Sequence, residues 1–454
     1  MRRNLLVVSL IVAVMMMPLM VFAAGEQTAQ PQMEVLTLDQ CLDLAFKNSR
    51  DFMKATKNVE KTEEAVRQAE GGFWPTLSYQ VGYNKFSDPQ GQGWVALPPQ
   101  NPSQTSPSSW IYSSGRDDGY SGTISLTQPL YSGGKLTDGL KLARLQLEIA
   151  KEDQRKAKQA LVFNVKSAYY QLWLAGQKLK VTQASYENYG HHYQQVNNFY
   201  KVGTSSKYDL LQAEVNWKAQ KPLLVQAEND LTVARLNLAI LLGIDKDRQF
   251  TVDVDLDHLQ LPEEISLKYQ EVLDQAYRDR PEMRQKRYLV ESARTSIHIS
   301  QAGYKPNVSI TGQYQGRGSD LSLSSRTWTL TVGLSGVLFD GFTTKAKIDS
   351  AKDDLEMATI NEASQRDLIQ SDIKQAIQTL KAALETTRYN QANINLNKES
   401  LRLTEARFNA GMSTTLDVAD AQLKLDTALN SYYKSVSDYL TALAKLDLVT
   451  GKDS

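Results

Sequence analysis

Phe408-Asn-Ala-Gly-Met-Ser-Thr-Thr-Leu-Asp-Val-Ala-Asp420 separates two long helix-forming runs, and the chain contains the same device twice. The other copy reads Tyr200-Lys-Val-Gly-Thr-Ser-Ser-Lys-Tyr-Asp-Leu-Leu-Gln212. Gly203 and Gly411 lie 208 residues apart, as do Asp209 and Asp417, whereas Asp420 is matched by Gln212. Each stretch reads as the tip of a helical hairpin, with the glycine reversing the chain. Ser206-x-x-Asp209 and Thr414-x-x-Asp417 both carry the capping-box spacing that starts a helix. A cap alone would account for Asp417, and an acid in a first turn also suits the helix dipole. Nothing of the kind accounts for Asp420.

Working outward, the offset of 208 carries Leu130-Tyr-Ser-Gly133 onto Leu338-Phe-Asp-Gly341, and Gly243 onto Gly451. Upstream of about residue 120 the offset is 231, carrying Ala45-Phe-Lys-Asn-Ser-Arg-Asp51 onto Ala276-Tyr-Arg-Asp-Arg-Pro-Glu282 and Pro75 onto Pro306. The difference of 23 is the extra length of one loop. The chain is two copies of one unit. Residues 24–243 form the first, 268–454 the second, and the acidic stretch 244–267 links them.

Each unit opens on a helix, 37–73 and 268–304, the first with the cap-like Thr37-Leu-Asp-Gln. Pro75 and Pro306 end these helices and open strands. Strands are expected at about 75–86 and 119–130, then at about 306–316 and 326–338. Leu77, Tyr79, Val81 and Tyr83 alternate with Thr76, Ser78, Gln80 and Asn84; Trp328, Leu330, Val332 and Leu334 alternate with Thr327, Thr329 and Thr331. Period two puts the apolar set on one face and an uncharged hydrogen-bonding set on the other. The apolar face suits lipid and the polar face a water-filled lumen. Trp74, Tyr131 and Phe339 on the helix side and Trp328 near the loops are placed like membrane-interface girdles.

Residues 86–119, rich in Pro, Gly, Ser and Gln, read as a long surface loop, while the matching loop at about 317–326 is short. Long loops of such barrels face outward, which puts the helices on the periplasmic side. After Gly134 and Gly341, helices run to about 203 and 410 without proline. Roughly 70 residues at 1.5 Å each extend to about 105 Å, a length that calls for coiled-coil-like packing. Return helices reach Gly243 and Gly451, and Pro222 is expected to kink or break the first.

The totals agree with this outline. Met1-Arg2-Arg3, an apolar run from Leu5, Pro18 and Val21-Phe-Ala-Ala24 have the order of a secretory signal, with cleavage expected after Ala23. Lys plus Arg and Asp plus Glu number 51 each, so there is no basic excess for nucleic acid. Cys41 is the only cysteine, which excludes an internal disulfide. No later stretch approaches 18 continuous apolar residues, so a membrane crossing must use strands. Four strands cannot close a barrel, because closed membrane barrels start at about eight. A homo-oligomer is required: a dimer gives eight strands and a filled interior, and a trimer twelve with room for a passage.

Gln128-Pro-Leu-Tyr-Ser-Gly-Gly134, the Val202-Gly-Thr204 tip, Ala410-Gly-Met-Ser-Thr-Thr-Leu-Asp-Val-Ala-Asp-Ala421 and the near-ungapped duplication carry a resemblance across essentially the whole mature chain. The sequence resembles the TolC-like outer-membrane factor family, exit ducts of efflux pumps and type I secretion systems. The resemblance implies a homotrimer whose 12-stranded outer-membrane barrel continues into a long periplasmic α-helical barrel. The closed periplasmic end would open by helix untwisting. Implied partners are a periplasmic adaptor and an inner-membrane pump of RND, ABC or MFS type. Asp417 and Asp420 are implied to form the channel constriction, and Gly203, Thr204, Asp209, Gly411 and Met412 the tips that meet the adaptor. Family members are often held closed by a tyrosine and an arginine of the second tip bonding an aspartate of the first. Here those positions hold Phe408 and Ser413, so a different lock is expected.

Three apart on a helix, Asp417 and Asp420 share a face. Under three-fold symmetry each would make a ring of three carboxylates, which attracts cations. Mutual repulsion would raise their pKa and let low pH ease opening.

Competing classes fare less well. The histidines His191, His192, His258 and His298 have no metal-ligand spacing, and no phosphate loop or nucleophile motif stands in context, so neither a metal, a cofactor nor an enzyme is expected. A trimeric coiled-coil adhesin or periplasmic scaffold explains the helices but not two lipid-type hairpins.

Overall fold

The computed structural model describes residues 34–90, 93–97, 109–113, 116–255, 261–318 and 320–452. The expected signal segment 1–23 lies outside them. Strand β1 (Glu34–Leu36) leads into α1 (Leu38–Asn48), which opens on a capping box between Thr37 and Gln40. The single helix expected over 37–73 is two. Ser49 takes extended backbone, and its Oγ accepts from Phe52 N at 3.3 Å to cap α2 (Arg50–Gly71). In the second copy the break falls at the matching residue, Arg280. It stands between α5 (Tyr269–Asp279) and α6 (Pro281–Gln301), because a proline drives the residue before it out of helical backbone.

Strands β2 (Thr76–Gln90) and β5 (Arg116–Tyr131) run further than expected, and a second hairpin, β3 (Gly93–Leu97) with β4 (Ser109–Ser113), stands between them. The stretch 86–119 is therefore not the plain loop its composition indicated. Pro98, Pro99, Pro102 and Pro107 all fall between β3 and β4, leaving Trp94-Val-Ala-Leu97 and Trp110-Ile-Tyr112 to pair. In the second copy β7 spans Asn307–Gly318 and β8 Ser325–Ser335, ending three residues before the expected 338.

Helices α3 (Lys135–Lys201) and α7 (Thr343–Asn409) have 67 residues each, about 100 Å. Their return helices α4 (Lys207–Leu242) and α8 (Thr415–Thr450) have 36 each. Pro222 does not break α4, which continues through it. The lost hydrogen bond is offset by burial of Leu224 and Ala227 just beyond it. Helix α2 packs on α3, and α6 on both α3 and α7; the return helices α4 and α8 pack on α3 and α7 respectively.

The main core sits where α1, the end of α4 and the linker meet α3: Cys41, Val165, Trp173, Leu238, Leu242 and Phe250 are all at most 2 % exposed. Burial pushes the Cys41 thiol up to about 11, so it stays protonated. Its counterpart at the offset of 231 is buried Val272, beside Ala276, Ile369 and Ile373 in the second core. The linker contributes β6 (Phe250–Val252), which pairs in parallel with β1. Tyr169 ties this strap to α3 by donating from its hydroxyl to Asp253 O at 2.7 Å and Leu36 O at 3.3 Å.

The two membrane-type hairpins, far apart in sequence, form one antiparallel sheet of order β2-β5-β7-β8. Its register sorts the faces row by row. Thr76, Thr127, Thr311 and Thr331 align, as do Gln80, Thr123, Gln315 and Thr327. Between them on the opposite face run Leu77, Leu126, Gly312 and Leu330, then Tyr79, Ile124, Tyr314 and Trp328. Apart from the glycine these eight positions are 47–83 % exposed. Among the described residues no strand pairs with the outer edge of β2 or of β8, and no helix is long and apolar enough to cross a membrane.

Candidate channel tip and membrane face

At both tips the helix closes in the same way. Gly203 and Gly411 have φ of 82° and 74°, and the following amides, Thr204 N and Met412 N, reach back to Phe199 O and Arg407 O at 2.9 and 2.8 Å. This is the left-handed helix stop that glycine adopts without the steric cost of a Cβ. Three residues on, Ser206 and Thr414 cap the return helices, each in a reciprocal box with its acid.

Asp417 is a cap. Its Oδ2 accepts from Thr414 N at 2.7 Å and Thr414 Oγ1 at 2.8 Å, while Asp417 N donates back to Thr414 Oγ1 at 3.2 Å. Those bonds from Thr414, with Arg407 nearby, hold its carboxyl below the usual range. Asp209 does the same work in the first tip, accepting from Ser206 N and Oγ. Asp420 takes part in no cap and is paired instead with Lys424 one turn on, at 2.6 Å. Both acids of the second tip lie on the exposed face of α8, opposite buried Val418, Ala421 and Leu425. The pair with Lys424 is half-exposed, so it tempers the charge of Asp420 without cancelling it.

Because the folded pKa of Asp417 is depressed, its contribution to the tip is complete above the ordinary aspartate value of about 3.9 and is lost as pH falls through the lower folded value. Acid loosening of this cap is therefore expected only below about pH 4. Thr414→Ala is expected to cost about 1 kcal/mol and to weaken that pH dependence, because the Thr414 N–H still donates to Asp417 when the hydroxyl is gone. Hydrogen exchange of the Leu416–Val418 amides between pH 3 and 7 measures both.

The structure brings the two tips together through α3 and the end of α7. Phe408 packs against His192 and Phe199, with ring centroids 4.9 and 6.0 Å apart, and joins Tyr193, Val196, Leu210 and Ala213. Burial lowers the pKa of His192 and keeps it neutral at pH 7. Gln195 donates to Asn409 beside this cluster. Deeper along the same seam Tyr189 donates to Ala419 O at 3.0 Å, and Ser185 to Asp426 Oδ2 at 2.6 Å. Burial raises the pKa of Asp426 although Ser185 and Gln422 both donate to it. Ser413 bonds within its own hairpin, to Thr404 O at 3.3 Å. An aromatic contact thus stands where polar links were looked for. The residues of this seam were missed in the sequence, where only the odd Phe408 gave a signal.

Of the expected tip residues, Gly203, Thr204, Gly411 and Met412 are exposed, and Met412 is 65 % so. At the helix end of the sheet, Trp74, Tyr131 and Phe339 are exposed, and Phe339 makes an edge contact with Phe342 at 5.5 Å. Trp328 is 76 % exposed in the row of Tyr79. Among the described residues no group of three or more His, Cys, Asp or Glu stands close enough to hold a metal ion.

Residues 41–244 and 272–452 match the family described as outer membrane efflux protein. The chain is 26 % identical over 422 residues to a probable efflux pump outer membrane protein, TtgC, of Pseudomonas putida, covering 89 % of this chain and 81 % of that one. It is 22 % identical to the outer membrane protein TolC of Vibrio cholerae, covering 91 % and 90 %. Among solved structures, CusC superposes with a TM-score of 0.76 at 20 % identity, covering 91 % and 92 %. VceC of Vibrio cholerae superposes with 0.72 at 16 % identity, covering 91 % and 96 %. At those identities the superpositions speak for the fold.

Proposed function

The chain belongs to the outer membrane efflux protein family, a family of outer-membrane channel proteins and not enzymes, and on that premise we propose that it is the exit duct of a tripartite efflux pump or type I secretion system. The observation that carries this is the four-stranded sheet with one exposed apolar face, one polar face of Thr, Ser and Gln rows, and two edges unpaired among the described residues. In hydrocarbon each unsatisfied backbone group costs several kcal/mol, so those edges must be closed by other copies. Three copies give a 12-stranded barrel with the Thr, Ser and Gln rows lining its lumen, continued by α3, α4, α7 and α8 as a periplasmic helical barrel.

The tips then form the narrow periplasmic end. Asp417 and Asp420 of three copies would make two carboxylate rings, with Asp420 carrying the selective charge because Asp417 is committed to its cap. The duct is passive, and binding of a periplasmic adaptor at Gly203, Thr204, Asp209, Gly411 and Met412 opens it. Opening must part the seam that Phe408 makes with His192 and Phe199. The inner-membrane pump, of RND, ABC or MFS type, supplies the work. A scaffold or adhesin without transport leaves the exposed apolar sheet unexplained. Protein extracted from the outer-membrane fraction in mild detergent is expected to have the mass of three chains and to resist dissociation in SDS until heated. A monomer in the soluble periplasmic fraction contradicts the proposal.

A further inference from the structure

The turn between β7 and β8 folds back onto the membrane face of the sheet. Leu323, at φ 49°, holds a left-handed backbone that side chains bearing a Cβ rarely adopt. Its side chain lies over Gly122 and Gly316, which face each other in the register. A Cβ on Gly122 would stand 2.9 Å from Leu323 Cδ1, and one on Gly316 2.9 Å from Leu323 Cβ. The two glycines leave a bare patch, and the turn fills only part of it. What remains is a groove of about 550 Å³ walled by Tyr79, Val81, Ile124, Tyr314, Leu321 and Leu323. Arg326 stands at its rim on the same face, in the row of Val81, Gly122 and Gly316.

The level of that row is set by arithmetic. From the row of Tyr131, Val308 and Leu334 to the row of Gly316 is eight residues of β7. That is about 27 Å of strand, or about 21 Å of height at a tilt of roughly 40°. Apolar bands of such barrels are about 25 Å tall, so Arg326 sits at the outer boundary, level with headgroups. An arginine there is nearly free of the penalty it would meet at the midplane. Its guanidinium makes two long bonds to its own turn, to Leu323 O and Ser322 O at 3.4 Å each, out of five possible donors. The nearby Asp320 carboxylate accepts from Ser322 N and Oγ within the turn. A neighbouring copy of the chain would join at the strand edges, in the plane of the sheet, and leave this face open.

We propose that the groove holds an acyl chain of a phosphorylated glycolipid of the outer leaflet, of the lipid A class, and that Arg326 grips its phosphate. A planar guanidinium suits a phosphate by paired hydrogen bonds, and the apolar walls suit the chain. The site rests on the reading of the sheet as a membrane barrel. It would make the duct's outer rim a lipid-anchored collar.

The test is native mass spectrometry of protein extracted from outer membranes, followed by titration of delipidated protein. The probes are bisphosphorylated lipid A, its dephosphorylated form and phosphatidylethanolamine. Retention of lipid A is expected, weakened roughly tenfold by Arg326→Ala or by removing the phosphates, the scale of one charge-assisted contact. Arg326→Lys should lose less. Arg317→Ala, which removes the same charge from the lumen face, should lose nothing. Equal losses at Arg326 and Arg317, or equal binding of all three lipids, overturn the site and leave the barrel standing. If Arg326→Ala does not fold, the comparison of phosphorylated and dephosphorylated probes on the unmodified protein decides. Protein that never enters the outer membrane overturns the barrel and the site together.

Discussion

Arginine in place of Leu126 is expected to keep the chain out of the outer membrane. Leu126 lies in the row of Leu77, Gly312 and Leu330, midway along the apolar face. A charged residue at the midplane of such a face costs about 2–4 kcal/mol, and in the proposed trimer it is carried three times, roughly 6–12 kcal/mol in all. That is of the order of the whole stability of an ordinary domain. Thr127→Arg, one residue on and on the polar face with Thr76, Thr311 and Thr331, should insert normally. Quantifying both variants in the outer-membrane fraction distinguishes a lipid face from a soluble one. Equal tolerance of the two contradicts the assignment of faces.

Trp173→Ala is expected to destabilise the helical part by about 3–5 kcal/mol. Trp173 is 2 % exposed in the main core, and its ring meets Tyr433 of α8 edge-on at 5.9 Å, so it fastens the first hairpin to the second. Its indole N–H is buried and makes no hydrogen bond among the described residues. Trp173→Phe should therefore cost far less than the alanine change, because it keeps most of the volume and removes an unpaired donor. Thermal unfolding of both variants, followed by circular dichroism, gives the comparison. A phenylalanine variant as unstable as the alanine one would show that the indole N–H has a partner in the assembled protein.

Much of the architecture was legible because the chain says it twice. Offsets of 208 and 231 residues place Val165 on Ile373 and Ala45 on Ala276, and all four are core residues. The alternation of Leu77 to Tyr83 and Trp328 to Leu334 gave the faces of the sheet, since period two needs no tertiary information. Its single-sheet order did not show, because pairing of β5 with β7 joins residues nearly two hundred apart. The breaks at Ser49 and Arg280 were hidden in continuous helical patterns. The strap of β1 and β6 was hidden because three-residue strands are too short to show a period. Proline was an uncertain guide to breaks: Pro222 is carried within α4 without dividing it, and the prolines of 86–119 mask a real hairpin.

At the tip, spacing identified both caps, while the partner of Phe408 was beyond it. His192 and Phe199 come from the other copy's helix, and only the packing of α3 against the second hairpin, along α8, brings them there. The asymmetry of the two tips thus has two parts: an added acid at Asp420, and an aromatic seam on the other side.

Ion conduction by the purified protein in planar bilayers separates a duct from a scaffold. The protein is expected to give small, discrete, cation-preferring conductance steps. Asp417→Asn combined with Asp420→Asn should reduce the cation preference severalfold by removing both carboxylate rings. Inserted protein that conducts nothing, or a double variant with unchanged selectivity, contradicts a duct narrowed at these tips.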